Sequence, residues 1–379
     1  MHVLQLTTEF EPNIWGGMGR SVSNLCKDLG KITKLTIVVN DYLFGRQEIE
    51  VEEHGDYRIV WTPTISFEDL SKVIQFDTVD VVNVQIFFFK ELAEQLKSLG
   101  KPIIYTVRSI EEKDLQIRGV EVLPMHLEFM KMQRDLVEMA DHLIVCSASE
   151  GQMMENYFPG SMEKLSVIPN GFIEPDGRVL QNKINGDNPP TLLFVGRFTE
   201  RKGLDILIEA LDLAKSQVSN LKLLVVGGHS GEDDQEWLNK LLNSYDESLQ
   251  KSVEYVGWVR SLKELEPYYH AADILCVPSL YEPFGNIVLE GFYYGVPVIA
   301  ANVGGMAETI QHGKSGILVP PKDAHALANA IVELIENPEL YMKICLEAQL
   351  RLKNIYSWRC ISEKTLEILK EAAGLNLKE

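Results

Sequence analysis

The sequence predicts an α/β fold, two Rossmann-like halves facing each other across a cleft. Three observations carry that prediction. Short β-branched apolar runs alternate with longer helical patterns along the whole chain. The alternation stops and restarts around a segment, 171–190, that holds three Gly and three Pro with Asn and Asp. The 379 residues suffice for two separate cores. In the first half, strands are expected at 3–7, 35–39, 79–84, 103–106, 143–146 and 166–168, with helices at 21–31, 90–99 and 126–139. In the second half, strands at 191–195, 221–226, 253–256, 274–277 and 296–300 alternate with helices at 204–214, 234–242 and from Asn286 to about Tyr294. Helices at 324–336 and 338–355 follow. The last, 357–374, is amphipathic and has no strand after it. The domains are read as 1–172 together with the terminal helix, about 357–379, and 190–356, with 173–189 as a linker.

Composition narrows the class. Apolar residues make up 45% of the chain and charged residues 24%, an ordinary balance for a soluble globular protein. A net charge of −19, from 36 basic and 55 acidic residues, argues against nucleic-acid partners and against a polybasic membrane patch. The start reads as a strand without a basic leader, and no apolar run approaches the length of a membrane span, so a cytoplasmic protein without integral membrane contact is expected. The five cysteines are scattered without a CxxC pair, which fits reduced, mostly buried thiols. The eight histidines show no metal-ligand spacing, and no metal is assigned.

The most specific pattern is a pair of carboxylates, Glu282 and Glu290, placed around the turn Pro283-Phe284-Gly285-Asn286-Ile287. The turn opens a helix stopped by Gly295, and Gly304-Gly305 follow the next strand. Unpaired N–H groups at a helix start favour an anion. A phosphate at the turn, with a carboxylate on either side to accept hydroxyl hydrogen bonds, suits a ligand carrying both phosphate and polyol. A nucleotide sugar is such a ligand. The structural alternative makes Glu282 a helix-dipole partner and Glu290 a solvated helix residue.

A second pattern, Gly196-Arg197-Phe198-Thr199-Glu200-Arg201-Lys202-Gly203, joins a strand to a helix. Cations at a helix N-terminus oppose the macrodipole at a cost of a few tenths to about 1 kcal/mol each, and an anion between them reverses that sign. Arg197 can grip phosphate oxygens as a fork and Lys202 as a point charge. Solvated surface charge is the alternative reading. A third pattern, Trp15-Gly16-Gly17-Met18-Gly19-Arg20, follows the first strand and leads into a helix. Its glycines let the backbone approach a ligand. Val22 occupies the place of the third glycine in GxGxxG, so the dinucleotide fingerprint fails, and Asp41 as a ribose-binding acid gives a nicotinamide site only weak support. A structural tight turn remains the alternative. Val225-Val226-Gly227-Gly228-His229 and Val256-Gly257-Trp258-Val259 are strand ends with glycines, where open α/β sheets bind ligands; Trp258 fits either a base-flanking or a core position. Ile168-Pro169-Asn170-Gly171 is a turn by composition.

Together these residues resemble the retaining glycosyltransferases of the GT-B fold, specifically the family-4 glycosyltransferases, relatives of glycogen and sucrose synthases. The resemblance runs over nearly the whole chain: Glu9-Phe10-Glu11-Pro12 with Gly16-Gly17, Asp141 to Ser147, Ile168 to Gly171, Gly196-Arg197 with Lys202-Gly203, the Glu282/Glu290 motif, and Trp358 in the terminal helix. It implies a first domain on the acceptor side, a second that binds the donor, and a terminal helix crossing back to the first. It also implies residue roles. Arg197 and Lys202 neutralise the diphosphate, Glu290 holds the ribose hydroxyls, and Glu282 binds sugar hydroxyls beside the reacting carbon. Phe284, Gly285, Asn286 and Ile287 offer backbone contacts, Gly16 and Gly17 approach the diphosphate, and Gly228 and Val259 border the donor.

One position departs from the family pattern. After the strand Ile103-Ile104-Tyr105-Thr106-Val107, where the family usually has a histidine, this chain has Arg108. Arg108 can reach a phosphate or a charged acceptor group, or form a structural ion pair with Glu111 or Glu112; both remain open. The expected activity is retaining, metal-independent transfer of a hexose or N-acetylhexosamine from a nucleoside diphosphate sugar, UDP favoured, with no cofactor required. The acceptor is a hydroxyl of a saccharide, an aminocyclitol or a lipid-linked glycan. Loops after Phe44, Phe87-Phe88-Phe89 and Arg108 are expected to shape its pocket, and the Phe87–Phe89 run itself reads as a buried strand end ahead of a membrane-touching patch. The rival readings are a nucleotide-sugar epimerase on the same frame and a catalytically weak nucleotide-sugar-binding partner subunit.

Overall fold

A computed structural model of the chain describes residues 1–14, 17–118, 120–175, 188–228, 233–259 and 261–375. Gly16, His229 and most of the expected linker lie outside the described residues. The chain divides into two compact units, Met1–Gly171 with Tyr356–Glu379, and Phe172–Ile355.

In the first unit, β1 (His2–Thr7) is buried at every position, polar His2, Gln5 and Thr7 included, as a central strand covered on both faces must be. The other strands are β2 (Lys34–Asn40), β3 (Glu50–His54), β4 (Tyr57–Thr62), β5 (Val81–Val84), β6 (Ile103–Thr106), β7 (His142–Val145) and β8 (Leu165–Val167). They form one sheet in the order β3-β4-β2-β1-β5-β6-β7-β8. All its pairs are parallel except the β3–β4 edge, which is antiparallel.

Side chains alternate between two packed faces. On one, Leu4, Leu6, Val82, Val84, Tyr105 and Leu143 pack under Leu92, Leu96 and Leu136. On the other, Val3, Val81, Ile104 and Ile144 pack under Val22, Leu25 and Leu29 of the Gly17–Gly30 helix and under Trp358, Ile361 and Leu369 of the C-terminal helix, Trp358–Ala372. The terminal helix therefore completes the first unit's core, which explains its amphipathic pattern. A Cβ on Gly171 would come within 2.6 Å of the Trp358 ring, so glycine is required where the two segments meet.

The second unit repeats the plan. β9 (Thr191–Gly196), β10 (Lys222–Gly227), β11 (Val253–Gly257), β12 (Ile274–Val277), β13 (Val298–Ala301) and β14 (Ile317–Val319) form a parallel sheet in the order β11-β10-β9-β12-β13-β14. Leu207, Leu211 and Ala214 of the Leu204–Lys215 helix and Leu327, Ile331 and Leu334 of the Ala324–Glu336 helix cover one face. The connections turn from strand to helix at the C-terminal strand ends, which is where an open sheet of this kind presents ligand-binding loops.

Several sequence expectations need correction. The β3–β4 hairpin was not foreseen and adds an antiparallel edge to a sheet expected to be parallel; every residue of β3 is exposed. Phe87–Phe89 is buried as expected at Phe87 and Phe89, but it forms a 3₁₀ turn rather than a strand end, with Phe87 and Phe88 packed on Phe129. The expected 338–355 helix ends at Arg351 and passes into a π-helical turn, Leu352–Tyr356. Trp258 is 44% exposed and is not part of a core. Among the described residues, no helix is long and apolar enough to cross a membrane.

Candidate functional site

The second unit brings its two charged motifs together at the C-terminal ends of β9 and β12. Beyond β9 the chain passes through Arg197, which is exposed, and the Glu200–Lys202 turn to Gly203, whose φ of 68° starts the Leu204–Lys215 helix. A Cβ on Gly203 would lie 2.3 Å from the Pro278 carbonyl, so the loop after β12 passes directly against this turn. Three contacts join them. The Leu280 N–H donates to the Arg201 carbonyl at 2.7 Å, the Arg201 guanidinium donates to the Tyr281 carbonyl at 3.1 Å, and Lys202 Nζ donates to Glu282 Oε2 at 2.5 Å.

The Lys202 and Glu282 side chains are 16% and 15% exposed, so this is a largely buried ion pair. Burial alone would raise the Glu282 pKa. The charges of Lys202, Arg201 and Arg197 outweigh it and hold the carboxyl below its ordinary value. Arg201, absent from the sequence-derived site, therefore belongs to it; its signal was its place between Arg197 and Lys202.

Glycines fix the surrounding backbone. Gly304 has φ of 51°, and a Cβ there would lie 2.0 Å from the Glu282 carbonyl, which also accepts the Gly305 N–H at 3.1 Å. Gly285, at φ 89°, turns the chain into the Asn286–Tyr294 helix over Met306. Phe284 is buried, and Asn286 and Ile287 are half-buried. Further into that helix, Glu290 accepts a 2.6 Å hydrogen bond from the hydroxyl of Tyr269, which is fully buried and stacked on Tyr294. Sequence reading missed Tyr269, because only the fold brings the Leu262–Ala271 helix beside Glu290.

Gly228 lies just past β10, where its N–H donates to the Gly196 carbonyl at 3.2 Å, and its carbonyl accepts the Phe198 N–H at 3.3 Å. The Arg197 loop is thus stitched to the neighbouring strand end. Val259 lies two residues past the end of β11 and is half-buried.

The first unit holds the remaining candidates. Gly17 opens the Gly17–Gly30 helix and is exposed. Asp41 is buried and bound by Asn13 Nδ2 at 3.0 Å and Arg46 Nε at 2.8 Å, so it serves the fold and not a ribose. Arg108 forms no ion pair with Glu111 or Glu112. Its Nε and one terminal nitrogen donate to Gln85 Oε1 at 2.8 and 2.5 Å, and the other terminal nitrogen donates to Asn170 Oδ1 at 3.0 Å.

Two family models tile the chain. One described as Glycosyltransferase Family 4 matches residues 15–173, and one described as Glycosyl transferases group 1 matches residues 179–351. A glycogen synthase of Mycobacterium tuberculosis is 28% identical over 97% of this chain and 94% of its own length. Among solved structures, sucrose-phosphate synthase from Thermosynechococcus elongatus superposes with a TM-score of 0.74 at 23% identity, covering 99% of this chain and 100% of that one. Anabaena HepE, in complex with UDP and glucose, superposes with a TM-score of 0.71 at 19% identity, over 98% of this chain and 100% of its own. Fold and family matches together define a GT-B glycosyltransferase that uses nucleotide-sugar donors. Within that class, the chain belongs to the family-4 glycosyltransferases.

Proposed function

We propose that the protein is a retaining, metal-independent hexosyl- or N-acetylhexosaminyltransferase that uses a UDP-sugar and acts in the cytoplasm on a hydroxyl acceptor. The observation that carries this reading is the 2.5 Å contact between Lys202 and Glu282, which joins the cationic loop after β9 to the two-carboxylate motif after β12. The Anabaena relative's complex with UDP and glucose supports UDP as the donor nucleotide.

In this reading the second unit binds the donor. Arg197 and Lys202 take the diphosphate, with Arg201 adding to the local positive field. Glu290, oriented by Tyr269, accepts the ribose hydroxyls, and Glu282 accepts hydroxyls of the transferred sugar. Backbone groups of Phe284 to Ile287, with Gly228 and Val259, border the ligand. Breaking the bond between the anomeric carbon and the β-phosphate oxygen builds negative charge on the phosphate, and fixed cations stabilise it without reorganising. The acceptor oxygen bonds to the same face of the anomeric carbon, and its proton passes to the departing phosphate oxygen. This route needs no separate protein base.

The test has two parts. UDP and UDP-glucose should raise the thermal midpoint and NAD should not. With a turned-over acceptor, NMR of the new glycosidic bond should show the donor's anomeric configuration; an inverted product would overturn the retaining mechanism. Isomerised UDP-sugar without acceptor would indicate an epimerase, and donor binding without transfer or hydrolysis would indicate a binding subunit.

A further inference from the structure

The face of the first sheet that packs under the Gly17–Gly30 helix and the C-terminal helix is apolar at the start of its strands and polar further along. Val3 and Val81 give way to Gln5 and Asn83, which pair in register on β1 and β5, and then to Gln85, Thr106 and Arg108. All of these point to one side, as the Thr106–Asn83 and Arg108–Gln85 hydrogen bonds require. Such groups are costly to bury without partners. Yet the Gln5 side chain is fully buried and neither its oxygen nor its nitrogen has a hydrogen-bond partner among the described residues; the same holds for Asn83 Nδ2 and Gln85 Nε2.

Arg108 stands at the open end of this layer and is only partly buried. Both of its side-chain partners, Gln85 and Asn170, are neutral amides. Burial holds its pKa below the ordinary arginine value, and of the two thiols that oppose this shift, Cys146 and Cys26, burial pushes Cys26 up to about 12, so Cys26 is uncharged at neutral pH. Among the described residues no carboxylate pairs with the guanidinium. A guanidinium has five N–H donors. Three are engaged, which leaves two without a partner among the described residues. An arginine kept only for stability would gain more from an acid beside it. Here two amides hold the fork in one orientation and leave its charge unanswered, the arrangement expected of a preorganised oxyanion receptor.

We propose that Arg108, fixed by Gln85 and Asn170, binds a phosphate or carboxylate group carried by the acceptor, and so sets specificity for an anionic acceptor. The proposal rests on the glycosyltransferase reading for the identity of its ligand. Two sources offer this chemistry, a phosphorylated acceptor and a uronic-acid acceptor, and two ligand pairs separate them.

Isothermal titration of the full-length protein should compare glucose with glucose 6-phosphate, and glucose with glucuronate. In one pair the anionic member should bind at least about tenfold more tightly, and Arg108→Gln should abolish that preference while leaving affinity for UDP itself unchanged. Arg108→Lys keeps the charge without the fork and should retain part of the preference, which also covers a Gln variant that does not fold. Equal affinity within both pairs, or a preference that survives Arg108→Gln, would overturn the proposal. UDP binding reports on the donor reading independently: UDP binding without anion preference removes this inference alone, and anion preference without UDP binding removes the donor reading alone.

Discussion

Two cationic regions of this molecule solve opposite electrostatic problems. In the second unit Lys202 is paired with Glu282, and Arg201 donates to the Tyr281 carbonyl, so the central cation already has an anionic partner within the protein. In the first unit Arg108 meets only amides. The difference teaches what each region asks of a ligand. A ligand at the first must replace a partner, and a ligand at the second supplies one. Loss of the cation should therefore strand a carboxylate in the second unit and none in the first.

The largest effect is expected from Lys202→Ala. It removes a cation assigned to the leaving group and strands a largely buried carboxylate, so kcat should fall about 100- to 1,000-fold and the thermal midpoint should drop as well. Unchanged turnover in a folded variant would break the donor-side half of the comparison. Glu282→Gln should be next. UDP affinity should hold or rise, because an anion competing for Lys202 is gone, while transfer falls by about 10- to 100-fold through loss of a sugar contact. Titration calorimetry and initial rates separate the two outcomes.

Gly304→Ala should destabilise by about 1–3 kcal/mol, since φ of 51° and a Cβ 2.0 Å from the Glu282 carbonyl both oppose it. Chemical denaturation measures this directly. The smallest effect is expected from Tyr269→Phe, which removes one hydrogen bond to Glu290 and should weaken UDP binding by about 2- to 10-fold.

A pH series sharpens the same contrast. The Glu282 pKa is lowered on folding, so its ionised form adds stability above the unfolded-state pKa. That contribution is lost as pH falls from the unfolded-state value through the lower, folded one. The stability difference between wild type and Glu282→Gln should thus hold as pH drops to the ordinary carboxylate value of 4.5 and shrink below it. A difference that fades well above that value would show that the pair is not held as described.

Much of the frame was legible because buried parallel strands must be apolar and β-branched, as in β6 and β12, whose bounds match the sequence reading residue for residue. The β3–β4 hairpin escaped because Glu50–His54 is fully exposed and three of its five residues are Glu, which reads as loop. The carboxylate pair and the cations were visible as motifs. Their joining was not, because Lys202 and Glu282 are 80 residues apart and only the strand order β9-β12 makes them neighbours. Arg108 was visible as a departure, but its neutral surroundings come from Gln85 and Asn170, at separations of 23 and 62 residues, and local sequence carries no trace of them.

The Lys202–Glu282 pair has one further consequence. A lone anion that takes Lys202 deprives Glu282 of its donor, so part of its gain is cancelled. A ligand that brings a hydroxyl beside its phosphate returns a donor to Glu282 as it takes Lys202. In the proposed reading the pair thereby favours a ligand that brings phosphate and hydroxyl on one molecule over one that brings phosphate alone.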